Sequence, residues 1–349
     1  MKNSIANNAN LPLVSIIVPI YNMGNSIVNC VQSLIDQDYA NIEIILIDDG
    51  SQDNSLLQCR KIANKHPKVH VVHTENQGSG PARNTGISVA KGRYAYFPDA
   101  DDFLDPNAIS TLVKAITEVK NCDLVVFGYT SINAQGKIIH TQCYTESIKD
   151  AKLLRDSYSQ CMTTTSKWSI QGAPWNKFFD LQIIKDNHIK YPHLRRHQDE
   201  CFIASYMCKV RKVHYISNIL YTYVVNDLKK EWQKYPIDYI ESVIGLYNDR
   251  KKNILTWNPH DLLTRDMVYK EYICFVIKAL ELSFSPKMHL SSKKRKIWIN
   301  NTIQRTNILE QDLPSVLGCY QKIFIHLAKY NFTLAYLLLK CKVAYNQKK

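Results

Sequence analysis

The sequence predicts an α/β protein: a mostly parallel sheet covered on both faces by helices, followed by a helical, basic C-terminal region. Three observations carry this. Over the first 130 residues, short and continuously apolar runs alternate with segments whose apolar residues recur at helical spacing. Polar and acidic clusters fall at the ends of those apolar runs, where open α/β sheets place their sites. After residue 226 the patterns are helical and Lys-rich.

The elements follow in order. The run "LVSIIVPI" (13–20) is β-branched and closed by Pro, and reads as a buried strand. "NSIVNCVQSLIDQ" carries Ile27, Val28, Val31, Leu34 and Ile35 at helical spacing. "IEIILID" (42–48) is a second buried strand, and "DNSLLQCRKIANKH" begins a helix with Asp53 or Asn54 as its N-cap. "KVHVVHT" (68–74) is a strand, and "GPARNTGISVAKG" holds a helix between glycines. "RYAYFPD" (93–99) is a strand, "PNAISTLVKAITEVK" a helix led by Pro, and "DLVVFGY" a strand. Residues 131–170 are polar and less periodic, and "KVHYISNILYTYVV" (212–225) is strand-like. The divisions expected are a flexible segment 1–12, a domain 13–225, and a basic helical region 226–349.

Composition narrows the class. A 349-residue chain with 45% hydrophobic and 21% charged residues is that of a folded globular protein. Its ten cysteines form no CxxC pair, so they read as thiols of a reducing cytoplasm rather than a disulfide framework. The opening "MKNSIANNANLPL" lacks the apolar core of a signal peptide, and no run reaches the ~18 apolar residues of a membrane span. The net charge is +13, and residues 226–349 hold 21 Lys and Arg against 11 Asp and Glu. That imbalance suits either an anionic partner or solvated helix faces. No recognition motif accompanies it, which excludes a nucleic-acid role.

The acids are placed against this excess. In "YFPDADDFLDP" Asp99, Asp101, Asp102 and Asp105 occupy seven positions. Like charges so close repel unless a cation or solvent separates them. Asp99 and Asp101 can hold a hard divalent cation together with substrate phosphates. Asp105 reads as a cap of the helix beginning near Pro106, and Asp102 as either cap or site residue. "DDGS" (48–51) offers a carboxylate for a pyrimidine or a ribose, or is simply a turn. In "ENQGSGPARNTG" the glycines at 78, 80 and 86 do not make a dinucleotide fingerprint. Arg83 in that segment reads as a phosphate contact at a helix start or as a surface Arg.

Together, "VSIIVPIYN", "IEIILIDDGSQDNS", "NQGSGPARNTGI" and "YAYFPDADDFL", in this order and spacing, resemble the nucleotide-sugar-binding half of family 2 inverting glycosyltransferases of the GT-A fold. The resemblance is strong over 13–130, looser over 170–225 and slight beyond. It implies a donor-binding part 13–130 and an acceptor side 131–225. It implies that Asp49 meets the uracil of a UDP-sugar, that Pro19 and Tyr21 line the same base, and that Asp99 and Asp101 meet the ribose and a Mn²⁺ or Mg²⁺ bridging the diphosphate. It also implies a catalytic base in a downstream acidic pair, here within Gln198-Asp199-Glu200. Gln198 stands where the family usually has Glu, Asp199 keeps its place as the base, and Glu200 is the competitor. About 100° separates consecutive helical residues, so only one of the two acids faces the site. Both would otherwise be first-turn helix acids. Trp175 and Lys177 fit the family's Trp-x-Lys segment and, with Glu200, are candidate acceptor contacts, Trp175 being otherwise core.

The expectation is therefore a cytoplasmic enzyme moving a sugar from a UDP-sugar to a glycan or lipid-linked acceptor in cell-surface polysaccharide synthesis. The basic C-terminal region would touch an anionic membrane surface or pack on the rest of the protein. Two other readings stand beside it: a non-catalytic glycan binder, which Gln198 favours, and a sugar nucleotidyltransferase. The latter would need a Gly-rich basic loop that "PIYNMGNS" does not provide.

Overall fold

The computed structural model describes residues 11–24, 26–163, 172–225, 235–310 and 313–346. The first ten residues of the expected flexible segment, and the expected boundary at 226, lie outside them. The chain divides into two compact units, Met1–Leu228 and Lys229–Lys349.

The first unit begins with four strand–helix repeats. Strands β1 (Val14–Ile20) and β2 (Ile42–Asp49) are buried along their whole length, as β-branched runs without alternation require. Between them α1 (Ser26–Ile35) buries Ile27, Cys30, Val31 and Leu34, one face of a 3.6-residue period. Helix α2 (Ser55–Ala63) leads to β3 (Val69–Thr74), and α3 (Ser79–Val89) to β4 (Tyr94–Tyr96). At the start of α2 the side-chain acceptor is Asp53, whose Oδ1 takes the Ser55 N–H at 2.9 Å. Strand β4 is shorter than the seven residues expected: Pro98 has no N–H for a ladder, and the chain turns there into the acidic segment. A two-residue strand β5 (Phe103–Leu104) and helix α4 (Ala108–Glu118) follow.

The polar stretch after 130 contains more order than its composition suggests. Strand β6 (Cys122–Asn133) turns into β7 (Ile138–Gln142), and β8 (Ser147–Asp150) precedes short helices α5 (Ala151–Asp156) and α6 (Tyr158–Thr163). Then come β9 (Lys177–Asp180), α7 (Leu181–Asp186), α8 (Gln198–Met207) and β10 (Lys212–Val225). The sheet order is β3-β2-β1-β4-β9-β6-β10-β5, with β7 on β6 and β8 on β10. Strands β3, β2, β1 and β4 are mutually parallel, as are β6 and β10. Strand β9 lies antiparallel between β4 and β6. The parallel half sends four strand ends to one edge.

The second unit is helical: α9 (Tyr239–Lys252), α10 (Ile254–Trp257), α11 (Leu262–Leu282), α12 (Ser292–Thr306), α13 (Cys319–Tyr330) and α14 (Phe332–Asn346). Its core includes Ile273, Val276, Leu280, Ile303, Phe324 and Leu339. Asp261 caps α11 by accepting the N–H groups of Leu263 and Thr264. Among the described residues no helix is long and apolar enough to cross a membrane.

Candidate active site

A cleft of about 170 Å³ opens at the carboxyl edge of the parallel strands. Pro19, Ile20, Tyr21 and Met23 line it from the end of β1, Asp49 from β2, Ser79 from the start of α3, and Asp99, Ala100 and Asp101 from the segment after β4. Five of the residues singled out in the sequence thus share one hollow: Pro19, Tyr21, Asp49, Asp99 and Asp101. A larger hollow of about 560 Å³ in the helical unit borders Tyr247, Tyr269 and Asp266. The Asp266 carboxylate there already accepts from the Ser315 amide and hydroxyl. Chemistry rather than volume selects the first.

The floor of the cleft is fixed by Asp49. Its side chain is buried, and its two oxygens accept the amides of Gln77 at 2.9 Å and Gly78 at 2.8 Å. Gly78 has φ of +101°, a conformation that disfavours any side chain and turns the loop back on the carboxylate. Burial pushes the Asp49 carboxyl up, against the pull of the two amides. The neighbouring Asp48 is spent elsewhere, with Oδ2 2.7 Å from His73 Nδ1.

The acidic segment separates into distinct environments. Asp99 and Asp101 face the cleft. Asp102 is buried, with Oδ2 accepting from the Tyr221 hydroxyl at 2.5 Å and Oδ1 from the Val224 amide at 2.7 Å. Burial raises its carboxyl to about 8, outweighing those two bonds. Asp105 is exposed and its Oδ1 accepts the Asn107 amide at the entrance to α4. Among the described residues no three His, Cys, Asp or Glu side chains converge closely enough to hold a metal unaided. Two carboxylates beside a cleft are nevertheless the donor set that Mg²⁺ or Mn²⁺ takes when substrate phosphates and water complete the shell.

Arg83 joins the two parts of the site. It is 3% exposed; Nη2 lies 2.6 Å from Asp99 Oδ1 and Nη1 3.0 Å from Asp199 Oδ1. It is neither a surface Arg nor free to offer both Nη groups to a phosphate. Its guanidinium also lies 5.4 Å from the centre of the Tyr191 ring. Burial opposes its charge, but Asp199 and Asp99 more than compensate. Asp199 is pushed up by burial, with Arg83 opposing.

Helix α8 delivers Asp199 from a strained start. His197, just before it, is left-handed at φ 65°, ψ 5°, and its Nδ1 lies 2.9 Å from Glu200 Oε1. Glu200 is thereby paired within its own turn while Asp199 reaches Arg83. Gln198 is buried and donates from Nε2 to Ser79 Oγ at 2.5 Å, tying α8 to α3. An ionised Glu there would bury another negative charge near Asp199.

Trp175 is half-buried, with its ring near-parallel to those of Tyr221 (4.9 Å) and Tyr223 (5.4 Å) and its edge or face toward Tyr129 (4.6 Å). Lys177 is fully buried and donates to Ala173 O and Asn176 Oδ1, each at 2.9 Å, so its amine does not face solvent and it is not the surface acceptor contact expected. Sequence reasoning missed Tyr191, Tyr221 and the Gln198–Ser79 bond. Tyr221 lies in an ordinary apolar run, Tyr191 in the mixed segment "HIKYPHL" with no motif to mark it, and the third joins positions 119 apart.

The candidate site is thus a parallel-edge cleft fed by acids from several strand ends and joined by a buried arginine to a further carboxylate. Comparison with known proteins supplies the class of enzyme. The family model described as glycosyl transferase family 2 matches residues 15–168. Glycosyltransferase GlyG of Streptococcus pneumoniae is 32% identical over 217 residues, 60% of this chain and 70% of GlyG. Chondroitin synthase of Pasteurella multocida is 35% identical over 129 residues, 37% of this chain and 13% of that one. The crystal structure of S. aureus TarS 1–349 in complex with UDP-GlcNAc has a TM-score of 0.64 and 20% identity, covering 97% of this chain and 92% of that one, a likeness of fold. The chain belongs to glycosyl transferase family 2 and is a glycosyltransferase.

Proposed function

We propose that the protein transfers a sugar, with inversion, from a UDP-sugar to a hydroxyl of a glycan or lipid-linked acceptor in cell-surface polysaccharide synthesis. The observation that carries this reading is Arg83: one guanidinium binds both the cleft acid Asp99 and the downstream acid Asp199. In this reading 13–130 holds the donor and 131–225 the acceptor. Pro19, Tyr21 and Asp49 border the base, and Asp99 and Asp101 would hold Mn²⁺ or Mg²⁺. That cation supplies charge neutralisation for the departing diphosphate. The choice of donor draws on the TarS neighbour, which binds UDP-GlcNAc.

The chemistry assigned to this chain is one proton transfer and one displacement. Asp199 takes the proton of the acceptor hydroxyl as its oxygen bonds to the anomeric carbon. The bond from that carbon to the diphosphate breaks on the opposite face, so configuration inverts and UDP leaves. A base must be ionised and within hydrogen-bond reach of its proton. Arg83 favours the ionised form and fixes one oxygen. Glu200 is the less suited base, because His197 engages it.

The test is UDP release over a panel of UDP-sugars with Mn²⁺ or Mg²⁺. Asp199→Asn and Asp101→Asn are each expected to lower kcat by roughly 10²-fold or more, the usual worth of a positioned base, with unchanged circular dichroism. Undiminished transfer by a folded variant removes that residue's role. The setting proposed is cytoplasmic, with the basic C-terminal unit meeting an anionic membrane surface.

A further inference from the structure

We propose that the Ser79 hydroxyl is a further donor-binding group: Gln198 leaves its proton to the cleft, where it is given to an oxygen of the diphosphate. The inference rests on the cleft as the nucleotide-sugar site.

The argument is one of hydrogen bookkeeping. A serine hydroxyl has one proton to give and two lone pairs to accept with. Gln198 Nε2 lies 2.5 Å from Ser79 Oγ and can only donate, so this bond occupies a lone pair and leaves the proton. Among the described residues that proton meets no acceptor. Ser79 is half-buried and lines the cleft beside Asp49, Asp99 and Asp101. Those carboxylates, when ionised, only accept. Ser79 and Tyr21 are the two lining side chains with an O–H to give, and Tyr21 is assigned to the base.

Gln198 is built to hold this polarity. Its side chain is buried on Gly80, where a Cβ would stand 3.0 Å from Oε1 and 3.1 Å from Tyr191 Cβ. Oε1 itself has no hydrogen-bond partner among the described residues. A buried amide oxygen without a partner is costly, and a methionine of similar length would fill the space without that cost. What the amide adds is its single bond to the cleft residue. A glutamate would reverse that bond. Its carboxylate accepts, so it would draw the Ser79 proton toward α8 and away from the cleft.

The test is calorimetric binding of UDP with Mn²⁺ to the full chain, a readout that does not involve Asp199. Ser79→Ala is expected to weaken UDP about tenfold, the usual worth of a hydrogen bond to a charged group, with unchanged circular dichroism. Uridine alone should bind both chains alike. Gln198→Met frees the hydroxyl to turn and is expected to weaken UDP by about threefold. On the Ser79→Ala background the same change should add nothing, whereas a merely structural glutamine would give independent, additive losses. Gln198→Ala replaces it in this cycle if Gln198→Met does not fold. UDP affinity within about twofold of native in folded Ser79→Ala overturns the proposal, and an equal loss for uridine overturns the diphosphate as the partner. Additive losses overturn the part given to Gln198. A native chain that binds no UDP removes the donor reading itself, and this proposal with it.

Discussion

The guanidinium of Arg83 is enclosed between two carboxylates, each with about a third of its side chain open to solvent. Breaking a buried ion pair costs about 3–5 kcal/mol, and the partial exposure of the acids reduces that here. Arg83→Met is therefore expected to lower unfolding stability by roughly 2 kcal/mol in a urea titration. Arg83→Lys should restore part of the stability but not the transfer rate, because one ammonium cannot reproduce the two-ended fork. Asp102 makes the opposite kind of claim. Its folded carboxyl titrates at about 8 against an ordinary value of 3.8, so folding favours its protonated form. The stability this lends is complete below about 4 and is lost as pH rises through 8. Without divalent cations, the melting temperature of the native protein should fall relative to Asp102→Asn between pH 5 and 9. A constant difference across that range would contradict the protonated assignment.

At the level of elements, the cleft depends on how closely α3 lies on β1. A Cβ built on Gly86 would stand 2.2 Å from Ile17 Cγ2, and Ile17 is fully buried. Gly86→Ala gains about 1 kcal/mol of helix propensity but must push α3 off the sheet. Overpacking usually costs about 1–3 kcal/mol, and at this separation it is expected to prevail, seen as a lower urea midpoint. The same elements show what a sequence discloses. Strands β1 and β2 are legible because burial on both faces writes a continuous apolar run, and helices α1 and α4 because burial on one face writes a 3.6-residue period; the half-exposed β3 is legible from its valines alone. Strand β9 is not: four residues, Lys177–Asp180, are too few for a period, and they begin with a lysine. The acidic strand end was legible as a cluster. Its division was not, because the burial of Asp102 depends on Tyr221 and Val224, more than a hundred residues away. Nor was the Arg83 bridge, whose partners are 16 and 116 positions distant.

For the whole molecule the question is where the excess positive charge goes. Residues 313–349 hold six lysines and no Asp or Glu. Helices α13 and α14 bury Phe324, Ile325, Ala335, Tyr336 and Leu339 in the core of their unit, yet they also expose Ile323, Tyr330, Leu334, Leu337 and Tyr345. Leu334, Leu337 and Tyr345, with exposed Cys341, recur at intervals of three and four along one face of α14. Exposed apolar residues mixed with lysines suit an anionic lipid surface, where each Lys is worth about 1 kcal/mol near the headgroups. Deleting the two helices would be a poor test, because it would strip the core they help to build. Surface substitutions keep that core: Lys329, Lys340 and Lys342 to Gln in one variant, Leu334 and Leu337 to Ser in another. Lys342 contacts Glu281, so its replacement also needs a melting control. Co-sedimentation with anionic vesicles is expected to fall by roughly 100-fold in affinity for the triple Lys variant, three lysines at about 1 kcal/mol each. It should weaken with added salt for the native chain, since screening acts on the same charges. Neutral vesicles should pellet little of either. Equal pelleting of native and Lys-substituted chains would assign the basic charge to solvation and remove the membrane surface from the partners of this enzyme.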